Sequence, residues 1–141
     1  MRLRILDVPN IFKPKMIVSY PPHQLNSPMI EERAFEYFSK KNILSDLIYI
    51  PIQWTQYHIN NNYGKNIKEL QKFCYEINLK YPKEKFFTIV QYDGGTLVPI
   101  NNCKIFACSG EWNSPKGVNS YYEPIPLLSD PHKVNKLKKK N

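Results

Sequence analysis

The chain has 141 residues, of which 42% are hydrophobic and 13% aromatic, and its formal net charge is +8. The length fits one domain with a sizeable core, and the apolar content excludes a chain that is disordered throughout. No apolar run is long enough to cross a membrane, and the first residues lack the apolar stretch of a signal peptide, so we expect a soluble, cytoplasmic protein.

Short apolar runs alternate with helical patterns along the chain. Strands are predicted at residues 2–8, 16–19, 46–50, 86–91 and 103–108, and helices at 28–41 and 66–81. Continuous β-branched and aromatic strands are typical of sheets that are buried on both faces. The pattern predicts an α/β fold, a three-layer Rossmann-like sandwich with a mainly parallel sheet, right-handed crossovers, and Ile48, Ile89 and Ile105 on interior strands.

The remaining segments predict loops and a tail. Residues 53–64 are polar and aromatic and contain an Asn-Asn-Asn turn signal, so we expect them to be irregular. Residues 1–132 are predicted to form the domain. The last nine residues, 133–141, include five lysines and too few apolar residues to fold, which predicts a disordered tail.

Two titratable side chains follow predicted strands, where parallel sheets place their ligands. Asp93 ends the 86–91 run and precedes Gly94, which suits a carboxylate that accepts a hydroxyl proton; the alternative is a plain Asp-Gly turn. His23 lies in a loop stiffened by two prolines, where it is a candidate for proton transfer; the alternative is a hydrogen bond to a nearby carbonyl.

Two tryptophans also follow predicted strands. Trp54 and Trp112 each offer a flat apolar face and one N–H donor, which suits stacking on a sugar ring, and Gln53 and Glu111 lie beside them. The alternative is that each tryptophan covers an edge of the core. The spacing predicts that His23, Trp54, Asp93 and Glu111 gather around one concave edge of the sheet.

Familiar nucleotide and metal motifs are missing from the sequence. It contains no G-x-x-x-x-G-K-[ST], no G-x-G-x-x-G, no G-x-S-x-G and no D-x-D. The three cysteines lack paired spacing and a nearby histidine, which predicts free thiols and no zinc site. We therefore expect no cofactor and no metal.

Three segments resemble the exostosin-type glycosyltransferases. Residues 7–12 (Asp-Val-Pro-Asn-Ile-Phe) are similar to that family's Asp-Leu-Pro-aromatic opening, and residues 46–52 (Asp-Leu-Ile-Tyr-Ile-Pro-Ile) to its apolar strand that ends in proline. Residues 86–95 (Phe-Phe-Thr-Ile-Val-Gln-Tyr-Asp-Gly-Gly) follow a helix and resemble the family's strand and His-Asp-Trp-Gly stretch. The resemblance covers roughly the first 95–110 residues.

The resemblance implies an acceptor-side domain. Asp93 matches the family's aspartate, while Tyr92 stands in place of its histidine and Gly94 in place of its tryptophan, so these two positions are implied to contact substrate. The chain would be the N-terminal half of a GT-B enzyme. A nucleotide sugar would then be a partner only through a missing second domain or a partner chain.

These observations predict a glycosyltransferase-like domain that binds a carbohydrate acceptor. Asp93 would bind or deprotonate a sugar hydroxyl, and the tryptophans would stack on sugar rings. The alternative is a non-catalytic module that binds carbohydrate or nucleic acid. Nucleic acid is the less favoured partner; it would be bound by the lysine tail and exposed aromatic side chains.

Overall fold

The computed structural model describes residues 1–16, 28, 30–108 and 120–125. They form a five-stranded parallel sheet with helices on both faces, which confirms the predicted three-layer α/β fold. In chain order the elements are β1 (Arg4–Ile5), α1 (Ile30–Lys40), β2 (Ile48–Tyr49), α2 (Trp54–Asn60), α3 (Lys68–Lys80), β3 (Phe86–Val90), β4 (Cys103–Ala107) and β5 (Ser120–Pro124).

The strands lie in the sheet in the order in which they occur in the chain, and every neighbouring pair is parallel. The longest central pairing runs from Phe86 opposite Cys103 to Val90 opposite Ala107. Doubly wound sheets bind ligands where the strand order reverses. The described strands contain no such reversal, so the binding site has to be located from side chains and not from topology.

One face of the sheet packs against α3 and holds the main core. Helix α3 buries Leu70, Cys74 and Ile77, which recur at helical spacing, and they belong to one apolar cluster with Phe86 and Val90 of β3. The predicted helix at 66–81 is confirmed, with bounds Lys68–Lys80. Burial raises the pKa of the Cys74 thiol to about 12, so this thiol stays protonated and inert.

The opposite face packs against α1. The Phe38 ring lies 5.0 Å from the Tyr49 ring and 5.3 Å from the Phe87 ring, so α1 covers β2 and β3. Residues 87 and 86 point to opposite faces because successive side chains of a strand alternate. Beyond α1, next to Phe106 of β4, this face carries an apolar groove of about 610 Å³.

The expected loop at residues 53–64 was wrong in its first half. Trp54–Asn60 forms α2, and its buried side chains Trp54, Tyr57 and His58 lie three and four residues apart. That spacing is the spacing of an amphipathic helix. The signal was hidden because the buried face consists of large polar-tipped rings in place of aliphatic side chains.

Most predicted elements are shorter in the structure; the strand expected at 46–50, for example, is Ile48–Tyr49. The first strand is shorter than the predicted 2–8, because the chain leaves the sheet after Ile5 and buries Val8 and Phe12 in the core. Met16 lies in a bend and not in a strand. Residues 17–19 and the predicted tail at 133–141 lie outside the described residues. No helix in the described ranges is both long and apolar enough to span a membrane.

Candidate functional site

Gln53 follows β2 and immediately precedes α2, at the carboxyl edge of the sheet. Its backbone N–H donates to the Phe12 carbonyl over 2.7 Å, and its Nε2 donates to the Ile11 carbonyl over 3.0 Å. The side chain is only 7% exposed. These bonds hold the amide in one orientation, while no donor to Oε1 exists among the described residues.

Gln53 lines a polar cleft of about 570 Å³. Four carboxamides and one phenol share this cleft, and we call the group the amide cleft: Gln53, Tyr57, Asn60, Asn61 and Asn66. Each carboxamide carries both donors and acceptors. The arrangement suits a ligand with many hydroxyl groups.

A tight turn after α2 builds the far wall of the cleft. Asn62, Tyr63 and Gly64 adopt positive φ angles of 56°, 53° and 84°, a left-handed path that asparagine and glycine accept most readily. This path returns the chain so that the Asn66 N–H donates to the Asn61 carbonyl over 3.1 Å. Two of the four cleft amides are therefore placed by one turn.

Tyr57 forms a wall of the cleft. Its ring is 6% exposed and packs edge-on against Phe12, with 5.1 Å between the ring centroids. Burial raises the pKa of the Tyr57 phenol, and the Glu69 charge raises it further. The phenol therefore stays protonated at neutral pH, where it is both a donor and an acceptor for a ligand.

The rim of the amide cleft is basic. Lys15, Lys65 and Lys68 line it together with a single carboxylate, Glu69. All four residues are exposed. None of the three lysines forms an ion pair with a carboxylate that the structure describes.

Trp54 lies in the core and not at a binding surface. It is 0% exposed, and its Nε1–H donates to Thr88 Oγ1 over 2.9 Å; Thr88 Oγ1 in turn donates to the Ile50 carbonyl over 2.8 Å. A fully buried indole presents no face to a sugar. The expectation that Trp54 stacks on a ligand is therefore wrong, because its apolar surface is used by the core.

The predicted residues after β3 lie in an exposed turn. The Gly95 N–H donates to the Tyr92 carbonyl over 2.9 Å, and Asp93 and Gly94 project from this turn into solvent. The Tyr92 hydroxyl donates to the Tyr63 carbonyl over 3.3 Å, which joins this turn to the turn behind the amide cleft. Asp93 lies at the same edge of the sheet as the cleft but does not line it.

Three further predicted site residues, His23, Glu111 and Trp112, lie outside the described residues. The predicted gathering of four residues around one edge can be followed only for Trp54 and Asp93. Both follow neighbouring strands at the carboxyl edge, yet one is buried and the other exposed. The roles of His23, Glu111 and Trp112 stay predictions.

A buried carboxylate near Gln53 escaped the sequence reasoning. Glu31, at the start of α1, is 1% exposed and accepts hydrogen bonds from the Thr55 N–H (3.0 Å), the Thr55 hydroxyl (2.5 Å) and the Gln91 N–H (2.7 Å). We call Glu31, Thr55 and Gln91 the carboxylate junction. It joins the start of α1, the first turn of α2 and the end of β3.

The junction holds its carboxylate in an unfavourable environment. Burial, reinforced by the charge of Glu32, raises the pKa of Glu31 to about 8. The sequence pattern contained a signal, because residue 31 lies three and seven positions before Ala34 and Phe38 on the apolar face of α1. An acid on that face is buried, although a carboxylate in the first turn of a helix is also what the helix dipole favours.

His58 is a second buried titratable group. It is 0% exposed, its Nε2 lies 2.8 Å from the Thr96 carbonyl, and its Nδ1 has no hydrogen-bond partner. Burial lowers the pKa of His58 to about 4. The ring is therefore neutral at pH 7, and the contact to Thr96 requires the proton on Nε2.

Comparison with protein-family models, with curated proteins and with solved structures finds no match to this chain. In the described ranges no three His, Cys, Asp or Glu side chains lie close enough together to hold a metal ion. The amide cleft is therefore the feature of the described structure that bears most directly on function.

Proposed function

We propose that this chain is a glycosyltransferase-like domain that binds a carbohydrate acceptor in the amide cleft. The observation that carries the proposal is the Gln53 amide, which is buried and fixed by Ile11 while its Oε1 has no donor among the described residues. Oε1 is not one of the buried unpaired side-chain atoms of the described residues, so it is an orientationally fixed acceptor at the cleft and not a buried orphan. A sugar hydroxyl can donate to it in place of water.

The neighbouring side chains support the same ligand class. Asn60 and Asn66 are exposed amides at the cleft, and the Tyr57 phenol adds a protonated hydroxyl. Sugars are bound by several such hydrogen bonds and little apolar burial. We expect a dissociation constant near the millimolar level, or roughly −4 kcal/mol.

A titration of the purified chain with neutral mono- and oligosaccharides, followed by NMR, tests the proposal. Asn60→Ala combined with Asn66→Ala removes two cleft amides and weakens binding about tenfold, since two exposed net hydrogen bonds at about 0.7 kcal/mol each contribute about 1.4 kcal/mol. The matched control is Asn42→Ala, an exposed asparagine that follows α1 at the other end of the sheet. Equal affinities of the double variant and the control would contradict the proposal.

A carbohydrate-binding module without chemistry is the second candidate, favoured because Asp93 does not line the amide cleft. In the glycosyltransferase reading, Asp93 accepts the proton of the acceptor hydroxyl. Asp93→Asn then abolishes turnover of a nucleotide sugar and leaves acceptor affinity unchanged. An absence of turnover with acceptor binding retained fits the module and equally fits a glycosyltransferase half without its donor domain, so turnover that Asp93→Asn abolishes is the result that decides for the enzyme.

A further inference from the structure

The rim of the amide cleft differs in charge from its floor. The floor is neutral, whereas the rim carries Lys15, Lys65 and Lys68 against the single carboxylate Glu69. The three rim lysines converge on one cleft and form no ion pair with a described carboxylate. With Glu69 as the one carboxylate of the lining, the cleft has an excess of two positive charges.

We infer, building on the proposed function, that the cleft takes a sugar phosphate, with its hydroxyl groups in the amide cleft and its phosphate monoester at the rim lysines. A phosphate monoester carries a charge of about −1.5 to −2 at pH 7, which matches the rim excess. The rim contains lysines and no arginine. Lysine binds phosphate as a point charge, whereas carboxylate recognition in two-pronged geometry favours arginine.

Two features of the backbone and floor support this inference independently. Helix α3, 13 residues long, begins at Lys68 on the rim, and no side chain in the described part of the chain caps its N-terminus. Its first-turn N–H groups and its dipole favour an anion there. The Gln53 side chain, 7% exposed and held by the Ile11 carbonyl, presents an Oε1 without a described donor, which indicates separately that the floor below the rim takes a hydroxyl-bearing ligand.

The test is a calorimetric or NMR titration of the full chain at low salt with glucose, galactose and mannose, each with and without a 6-phosphate. Inorganic phosphate serves as the control anion without a sugar. A 5′-phosphorylated oligonucleotide serves as the control in which a nucleic acid carries the phosphate. We expect the preferred hexose 6-phosphate to bind about tenfold more tightly than its neutral hexose, with the difference shrinking as salt is added.

Two double variants of equal net charge separate the effect of the rim lysines on binding from the effect of the net charge of the chain. Lys65→Gln with Lys68→Gln removes the preference for the phosphorylated sugar, measured as the ratio of its affinity to that of the neutral hexose in the same variant. Lys41→Gln with Lys83→Gln, two exposed lysines at the other end of the sheet, retains the preference. Both pairs change the net charge equally, so a general electrostatic effect would affect them alike.

Three results would overturn the inference. Equal binding of neutral and phosphorylated hexoses would overturn it and leave the proposed function standing. Binding of inorganic phosphate or of the oligonucleotide as tight as that of the hexose phosphate would assign the rim to anions in general or to nucleic acid. Binding of none of the sugars would overturn the proposed function, and the inference with it.

Discussion

Two polar regions lie next to each other at the end of β2, and they use their polar atoms differently. Thr55 belongs to the carboxylate junction, where Glu31 receives three donors and both of its oxygens are occupied. Gln53, two residues earlier, belongs to the amide cleft and leaves Oε1 without a described donor. The difference indicates that the junction holds the fold together, whereas the cleft retains hydrogen-bonding capacity for a ligand.

The largest expected effect is the pH dependence of the junction. The pKa of Glu31 is raised from 4.5 to about 8 on folding, so its favourable protonated form is fully present below pH 4.5. As pH rises through 8 the folded state must accept a buried charge, and the free energy of unfolding falls by up to about 5 kcal/mol. Chemical denaturation of the chain between pH 5 and pH 9 measures this fall.

Glu31→Gln separates that titration from the hydrogen bonds. A glutamine has one acceptor oxygen, so either the Thr55 or the Gln91 N–H is left facing an amide N–H, and stability at pH 5 falls by about 2 kcal/mol. The variant also loses the decline between pH 5 and pH 9. A decline as steep in the variant as in the unaltered chain would show that Glu31 is not its source.

The second effect is opposite in sign and comes from His58, three residues after Thr55 in α2. The pKa of His58 is lowered from 6.5 to about 4 on folding, so its contribution is fully present above pH 6.5. It is lost as pH falls through 4, which amounts to up to about 3 kcal/mol. His58→Gln keeps a donor for the Thr96 carbonyl and should flatten the acid limb of the stability profile; an unchanged limb would contradict the account.

The third effect concerns the two consecutive hydrogen bonds that link Trp54 to Thr88 and Thr88 to the Ile50 carbonyl. Thr88→Val leaves the Trp54 N–H and the Ile50 carbonyl without their hydroxyl partner in the core, which costs about 2 kcal/mol of unfolding free energy. Ser39→Ala is the matched control, because it removes an exposed hydroxyl that bonds within α1. A similar loss of unfolding free energy in both variants would argue against a structural role for these two hydrogen bonds.

The smallest expected effect on stability lies in the amide cleft. Asn60 and Asn66 are exposed, so their combined replacement by alanine should change the free energy of unfolding by no more than about 0.5 kcal/mol. Thermal and chemical denaturation of the double variant measure this. A loss of several kcal/mol would mean that these amides are structural, as Glu31 is.

The fold was predictable from the sequence because its strongest elements repeat their apolar residues at regular spacing. Leu70, Cys74 and Ile77 mark α3, and the run through Phe86–Val90 marks the central strand. These patterns depend on local sequence and burial, which periodicity records directly.

The site was predictable only in part. Gln53 was selected for lying beside Trp54, yet the indole is buried and the amide alone lines the cleft. The cleft also needs Asn66, which a left-handed turn brings back to Asn61. The spacing of residues in the sequence does not predict that this turn brings Asn66 back to Asn61. It also does not predict the tertiary contacts that bury Glu31.

One paired measurement tests the central distinction between the junction and the cleft most directly. The free energy of unfolding and the affinity for the best-bound sugar are determined at pH 5, where Glu31 is protonated in the folded chain, for Glu31→Gln and for the Asn60→Ala/Asn66→Ala double variant. The account predicts that Glu31→Gln lowers stability and keeps the affinity, while the double variant keeps stability and loses about tenfold in affinity. The reverse pattern, with weakened sugar binding in Glu31→Gln and normal binding in the double variant, would contradict it.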